Sequence, residues 1–294
     1  MIIHGQNVQK NICAYTISLH KMKILPVIVI YEKDWRKCNI YQSLFSKLEI
    51  EILIYDNSSN CANKKYEDQL THYHHDPSNP GVSKAYNNSA KWARQHGFSH
   101  LALFDDDTIL PSTYIDYLYE ALKQEPKISV FVPLLKYNNG RKIFSPKRNL
   151  LQRCTSVKDL RYPGINRLHD FLPVNSGSCI NLGSFFSVAG YNGNIPLDFA
   201  DYDFFIRLNK NVDSFYLLDC IGEQPFSNSE TDPKKLLRRY KYYLEGALHF
   251  CKPSAIRLQV LRHTLSLCLR THKIETLRLY YHYIKHDFSL HRYV

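Results

Sequence analysis

A chain of 294 residues with 44% hydrophobic content is long enough for one large or two modest domains and carries enough apolar mass for a real core, which excludes a disordered or fibrous protein. The net charge of +11 is unevenly placed: from Lys234 to the end thirteen Lys and Arg face only Glu245, Glu275 and Asp287, so the body of the chain is nearly neutral and its tail strongly basic. Eight scattered cysteines, never in a CxxC pair, exclude a zinc ribbon or compact disulfide framework and fit reduced thiols in a cytoplasm, and no run of about 18 apolar residues predicts a spanning helix.

Residues 1–22 lack a clear period and the unbroken apolar core of a signal peptide; Met22 stands just before the first convincing strand, so either Met1 or Met22 is the expected start. "ILPVIVIY" (24–31) is a continuous β-rich apolar run, as in a strand covered on both faces, and a helix is predicted through "YQSLFSKL" (41–48). "IEILIYD" (50–56) is a second such strand, ending in Asp56 and the turn-like "NSSN". "THYHH" (71–75) reads as solvated histidines between a helix and a turn, with no role assigned. "NPGVSKAYNNSAKWARQHG" (79–97) opens with a Pro-Gly turn, has helical spacing and closes on Gly97. "HLALFDDD" (100–107) is the third strand, "PSTYIDYLYEALKQEP" (111–126) a helix, and "ISVFVPLLKY" (128–137) the fourth strand. This alternation predicts an open, largely parallel α/β sheet, which binds ligands beyond the carboxyl ends of its strands, where Asp56 and Asp105 to Asp107 fall. Residues 138–172 are polar and turn-rich and read as an excursion; "SGSCINLGSFFSVAGY" (176–191) and "DFADYDFFIRL" (198–208) return to apolar patterning. From 234 onward three helices are predicted, broken at Pro253 and near Lys273.

Three adjacent carboxylates repel one another, so Asp105, Asp106 and Asp107 need a cation or strong hydrogen-bond donors among them. Magnesium and manganese take oxygen ligands and are held in phosphate-handling enzymes by one or two carboxylates, which an Asp-x-Asp at a strand end supplies. Capping of the next helix would use one Asp and leaves the other two unexplained.

These stretches, in order, resemble the family 2 glycosyltransferases of GT-A fold, within them the bacterial rhamnosyltransferase-like members, over roughly residues 23–225. "IEILIYDNSS" is similar to the family's strand ending in Asp-Asn-Ser, "NPGVSKAYNNSAKWA" to its Asn-x-Gly helix, and "LFDDDTILP" to its Asp-x-Asp segment followed by Pro. The resemblance implies that Asp56 contacts the nucleotide base, Asp105 the sugar or phosphate side of the nucleotide, and Asp107 the metal, with Asp106 the variable middle residue and Asn79 and Asn87 in the donor pocket. The stretch from Ser176 and Ser178 to Arg207 is similar to the acceptor region, with Asp198, Asp201 and Asp203 as its acids and Asp201 as the catalytic base. Asp219, in "DCIGE", falls where relatives often place a metal-ligating His. Two features depart from the family: Ala200 stands where many relatives have Glu, and "VIVIYEKDW" lacks the usual Thr-Tyr-Asn turn after the first strand.

The chemistry asks for both acidic sites: a metal to offset charge on the departing diphosphate, and a base for the attacking hydroxyl, whose direct attack inverts the anomeric carbon. The expectation is an inverting, Mn2+- or Mg2+-dependent glycosyltransferase of hexosyltransferase type, with a GT-A domain over 23–230 and a basic helical region over 231–294. Its donor would be UDP- or dTDP-linked, its acceptor a growing surface glycan such as lipopolysaccharide or capsule. The basic tail suggests an anionic membrane surface on the inner face of the cytoplasmic membrane, with no nucleic-acid partner expected. The alternatives are an inactive glycosyltransferase-like scaffold, a sugar nucleotidyltransferase, disfavoured because "YEKDWRK" has no glycine-rich loop, and a nucleic-acid-binding protein using the tail.

Overall fold

The computed structural model describes residues 22–137, 140–148, 156–225 and 232–290, so the reading of residues 1–22 lies, but for Met22, outside them. In chain order the strands are β1 (Ile24–Ile30), β2 (Ile52–Asp56), β3 (Thr71–His75), β4 (His100–Asp105), β5 (Val130–Tyr137), β6 (Lys142–Ser145), β7 (Gly164–Arg167), β8 (Ser178–Asn181) and β9 (Ser214–Glu223). They form one sheet ordered β3-β2-β1-β4-β8-β5-β9-β7, with β6 paired to β5. β3, β2, β1 and β4 run parallel, as do β5 and β9; β8 runs antiparallel between β4 and β5.

All seven residues of β1 and all five of β2 are buried, which is why these strands carry unbroken apolar runs in place of alternation. The period of two survives in the packing. Leu25, Val27 and Val29 face one core, with Leu101 and Leu103 of β4, while Ile24, Ile28 and Ile30 face the other, with Ala102 and Phe104. The first core is closed by α2 (Val82–Gln95) and α5 (Ala200–Leu208). The second lies beneath α1 (Asn39–Ser43) and α3 (Tyr114–Gln124). Helix α4 (Leu182–Ser187) follows β8, with the Asn181 side chain accepting from the Ser184 N–H at its start.

The "THYHH" stretch is strand β3 at the sheet edge, not a solvated link. Thr71 and Tyr73 point inward and His74 outward, an alternation concealed in the sequence by polar histidines on both faces. The three histidines go to separate partners: His72 to Glu51, His74 onto the Tyr55 ring, and His75 to the Ser58 carbonyl. The predicted excursion also contributes structure, since β6 extends β5 and β7 pairs antiparallel with β9.

Helices α6 (Pro233–Leu248), α7 (Pro253–Thr271) and α8 (Glu275–Leu290) follow the three predicted basic segments. They do not stand apart: Tyr240, Tyr243, Leu244, Phe250 and Val260 belong to the same buried cluster as Phe199 and Phe204. The six described cysteines carry no disulfide, and among the described residues no helix is long and apolar enough to cross a membrane.

Candidate active site

The topology brings four chain segments to the carboxyl end of β4. β8 pairs with β4 so that Ser178 lies opposite Leu103, and the residues just before it fall beside Asp105. Gly177 permits this approach: its φ is +76°, its N–H donates to the Leu103 carbonyl at 2.7 Å, and an added Cβ would lie 2.6 Å from the Pro133 ring. β9 ends in paired backbone bonds between Glu223 and Ile109, both 2.9 Å, which set Gln224 against the aspartates.

Each member of the triplet has a different partner. Asp105 accepts from the Ser176 hydroxyl at 2.6 Å and the Tyr86 hydroxyl at 3.1 Å. Asp106 meets the Lys33 ammonium at 2.7 Å. Asp107 accepts from the Gln224 amide at 2.6 Å. Thr108 joins the two ends, its hydroxyl lying 2.8 Å from Ser176 Oγ and 2.7 Å from Gln224 Oε1. Asp105, Ser176, Thr108, Gln224 and Asp107 thus form a continuous polar chain. Burial drives the Asp105 carboxyl up to about 6, against the Ser176 bond, with Asp107 and Asp106 adding in the same direction. Burial also raises Asp107, opposed first by Gln224.

These residues fit a hard divalent cation. The outer aspartates are oxygen donors whose ionised forms are disfavoured by burial and by neighbouring carboxylates, Asp107 and Asp106 acting on Asp105 and Asp106 on Asp107, a cost that a bound cation relieves. Among the described residues no three His, Cys, Asp or Glu side chains gather as a metal cage.

Asp201 lies in the first turn of α5, and its carboxylate accepts from the Tyr202 N–H at 2.8 Å. Burial raises it to about 7 against the Tyr202 bond and the charge of Lys147, while Asp105 and Asp198 push the same way as burial. Asp105 and Asp201 are therefore close enough to couple, and Tyr86 and Tyr191 feel both charges.

Residues 37–182 match the profile described as glycosyl transferase family 2. The chain carries a family 2 glycosyltransferase domain. Its fold is shared with the crystal structure of GalNAc-T7 with UDP, GalNAc and Mn2+, at a TM-score of 0.53 and 14% identity over 70% of this chain and 43% of that one. It is shared equally with S. aureus TarS 1-349, at a TM-score of 0.53 and 13% identity over 90% and 80% of the two chains. The complex of TarS 1-349 with UDP-GlcNAc gives 0.52 and 14% over 89% and 79%. These likenesses are of fold, GT-A. The chain spans less than half of the GalNAc-T7 chain. No curated protein sequence matches it.

The family 2 match includes the Asp56 and Asp105 to Asp107 segments and stops before Asp198. Within it, Asp56 is fully buried and both its oxygens are engaged, by the Ser58 N–H, the Asn63 amide and the Tyr73 hydroxyl at 2.7–2.9 Å. Burial alone would raise it, but these donors hold it below its ordinary value. Asn79 is exposed in the turn before α2. Asn87 clasps the Tyr191 backbone, donating to its carbonyl and accepting from its N–H, both at 2.8 Å.

Beyond the match, Ser178 is buried and donates to the Val174 carbonyl. Asp198 stands 3.8 Å from Arg239 of α6, and burial raises its carboxyl against that charge. Asp203 is buried and engaged by Arg207 at 2.8 Å and the Cys251 N–H at 3.0 Å, so it ties α5 to the turn between α6 and α7. Asp219 sits exposed within β9 and influences Tyr162; the β9 end that meets Asp107 supplies Gln224 five residues later. Gln224, Lys33, Tyr86, Thr108 and Lys147 carried no sequence signal, since each acts through a contact between segments distant in the chain.

Proposed function

We propose that the family 2 domain is an inverting glycosyltransferase that moves a sugar from a nucleotide-diphosphate donor, UDP- or dTDP-linked, to a hydroxyl of a growing surface glycan of the lipopolysaccharide or capsule type, in the cytoplasm. The observation that carries the reading is the pairing of an Asp105-x-Asp107 oxygen site with a separate, part-buried carboxyl, Asp201, raised to about 7. UDP, UDP-GlcNAc and Mn2+ in the similarly folded TarS and GalNAc-T7 structures support such a donor.

In this reading Asp107 would hold Mn2+ or Mg2+, with Asp105 on the sugar or phosphate side of the nucleotide, and the bound ion would offset the charge gathering on the departing diphosphate. Asp201 accepts the proton of the acceptor hydroxyl as its oxygen bonds to the anomeric carbon and the bond to the diphosphate breaks, the diphosphate leaving with the electron pair. A carboxyl near 7 suits the task, being basic enough to hold the proton and still substantially ionised at neutral pH. The Asp105 bonds to Ser176 and Tyr86 keep that carboxylate fixed toward the donor side. Asp56 would contact the nucleotide base, its carboxylate held in place by the Ser58 N–H and the Asn63 side-chain amide.

The test is calorimetric titration of UDP, dTDP and GDP with and without manganese, followed by turnover with the corresponding sugars, dTDP-rhamnose among them. One nucleotide should bind in a manganese-dependent way, and Asp107→Asn should abolish that dependence. Asp201→Asn should leave nucleotide binding within a few-fold and lower turnover by about a hundredfold or more. Full turnover in Asp201→Asn would remove it as the base; failure of every nucleotide to bind would sink the donor reading.

A further inference from the structure

Helix α7 is apolar on two sides. Ile256, Val260 and Leu267 pack into the core, whereas Leu258, Leu261, Leu265 and Leu269 recur every three or four residues on the opposite side and remain exposed. Leu265 is 50% and Leu269 74% exposed, and beyond the helix end Ile274, 67% exposed, and Tyr281 on α8, 61%, are further exposed apolar side chains. A helix apolar on both sides is ordinarily enclosed, so this second side calls for a partner.

The surrounding charge selects the partner. Between Lys252 and His286 seven Lys and Arg stand against Glu275 alone, with Arg262 beside the leucine row and Lys273 and Lys285 near its far end. A second copy would set this excess of positive charge against itself. Leucines flanked by cations and bordered by a tyrosine match instead the acyl and headgroup layers of an anionic bilayer.

We infer that the outward side of α7, together with Ile274 and Tyr281, lies in the headgroup layer of an anionic membrane, inserting its leucines while the flanking cations meet lipid phosphates. The inference goes beyond glycosyl transfer and does not depend on it: it assigns a lipid surface to a face remote in sequence from the aspartates. It places the basic charge around an inserted apolar row, so charge alone does not suffice for binding.

The test is sedimentation of the full chain with large unilamellar vesicles of phosphatidylcholine, with and without an equal share of phosphatidylglycerol. The chain should partition to the anionic vesicles about tenfold more strongly than to the neutral ones, and Leu265→Ser with Leu269→Ser should lower that partition about tenfold. Both side chains are half-exposed or more, so the double variant should melt with wild type; if it melts lower, Leu269→Ser alone should give a several-fold loss with an unchanged melt. Equal partition to both vesicles, or binding unchanged in the leucine variants, would overturn the inference. So would a dimer in light scattering that the same substitutions dissociate, which would make the face an interface between copies.

Discussion

Asp106 meets an ammonium, Asp105 two hydroxyls and Asp107 an amide, and the effect of removing a partner depends on what it leaves behind. Gln224→Leu strips Asp107 of its donor and leaves the buried Thr108 hydroxyl with Ser176 alone. It should cost about 1–3 kcal/mol in urea denaturation and weaken manganese-dependent nucleotide binding, the second effect separating it from a purely structural change. As the proposed base, Asp201 would set the pH dependence. Its folded-state pKa of about 7 lies above the ordinary 3.8, so kcat/KM should rise as pH passes through about 7 and level off above it. The stability sign is opposite: the folded state retains a proton that the unfolded chain loses, so the contribution of Asp201 to stability falls as pH rises between those two values. Asp201→Asn should remove both trends. The triplet was legible in the sequence because a carboxylate cluster at a strand end has few structural uses, whereas Asp201, in the first turn of α5, was singled out only through the family resemblance. Lys33 was not, since nothing near residue 33 announces a contact with residue 106.

At the scale of elements, α2 is set against the Pro196 segment by its first turn. Gly81 has φ of +84°, and a Cβ there would lie 2.3 Å from the Pro196 carbonyl oxygen, whose acceptor role toward the Val82 N–H fixes the contact. Gly81→Ala must therefore disturb backbone as well as adopt an unfavourable φ, and should destabilise by about 1–3 kcal/mol in chemical denaturation. The same packing explains Asn87. Its helical position was readable, but its clasp on Tyr191 joins residues 104 apart in the chain, and a polar residue on a helix looks the same whether it faces a ligand or a neighbouring backbone. Asp203 poses the same difficulty: its spacing from Asp201 suggests a shared site, while its carboxylate is spent on Arg207 and the Cys251 N–H. Strands β1, β2 and β4 were plain from their apolar runs, whereas β3 and β7 are short edge strands with only two buried residues in the first and one in the second, which weakens any periodic signal.

Across the whole molecule, Tyr240, Leu244, Ala247 and Phe250 share a buried cluster with Phe199 and Phe204, beside Asp201. Gly246 fits this contact, since an added Cβ would lie within 2.4 Å of the Asp198 carbonyl. A chain ended before Asp232 would expose that side of α5 and should lose the cooperative unfolding transition, whereas the intact chain should give coincident transitions by near-UV and far-UV circular dichroism. The place of β8 bears on how the protein is made. A nascent chain that has emerged as far as Tyr137 contains both β4 and β5, yet these strands are not neighbours; each pairs with Ser178–Asn181, which the ribosome has still to release. During that interval synthesis leaves the β4 edge open to any other extended chain, so the sheet is most vulnerable to mispairing midway through translation, before the strand that closes it exists.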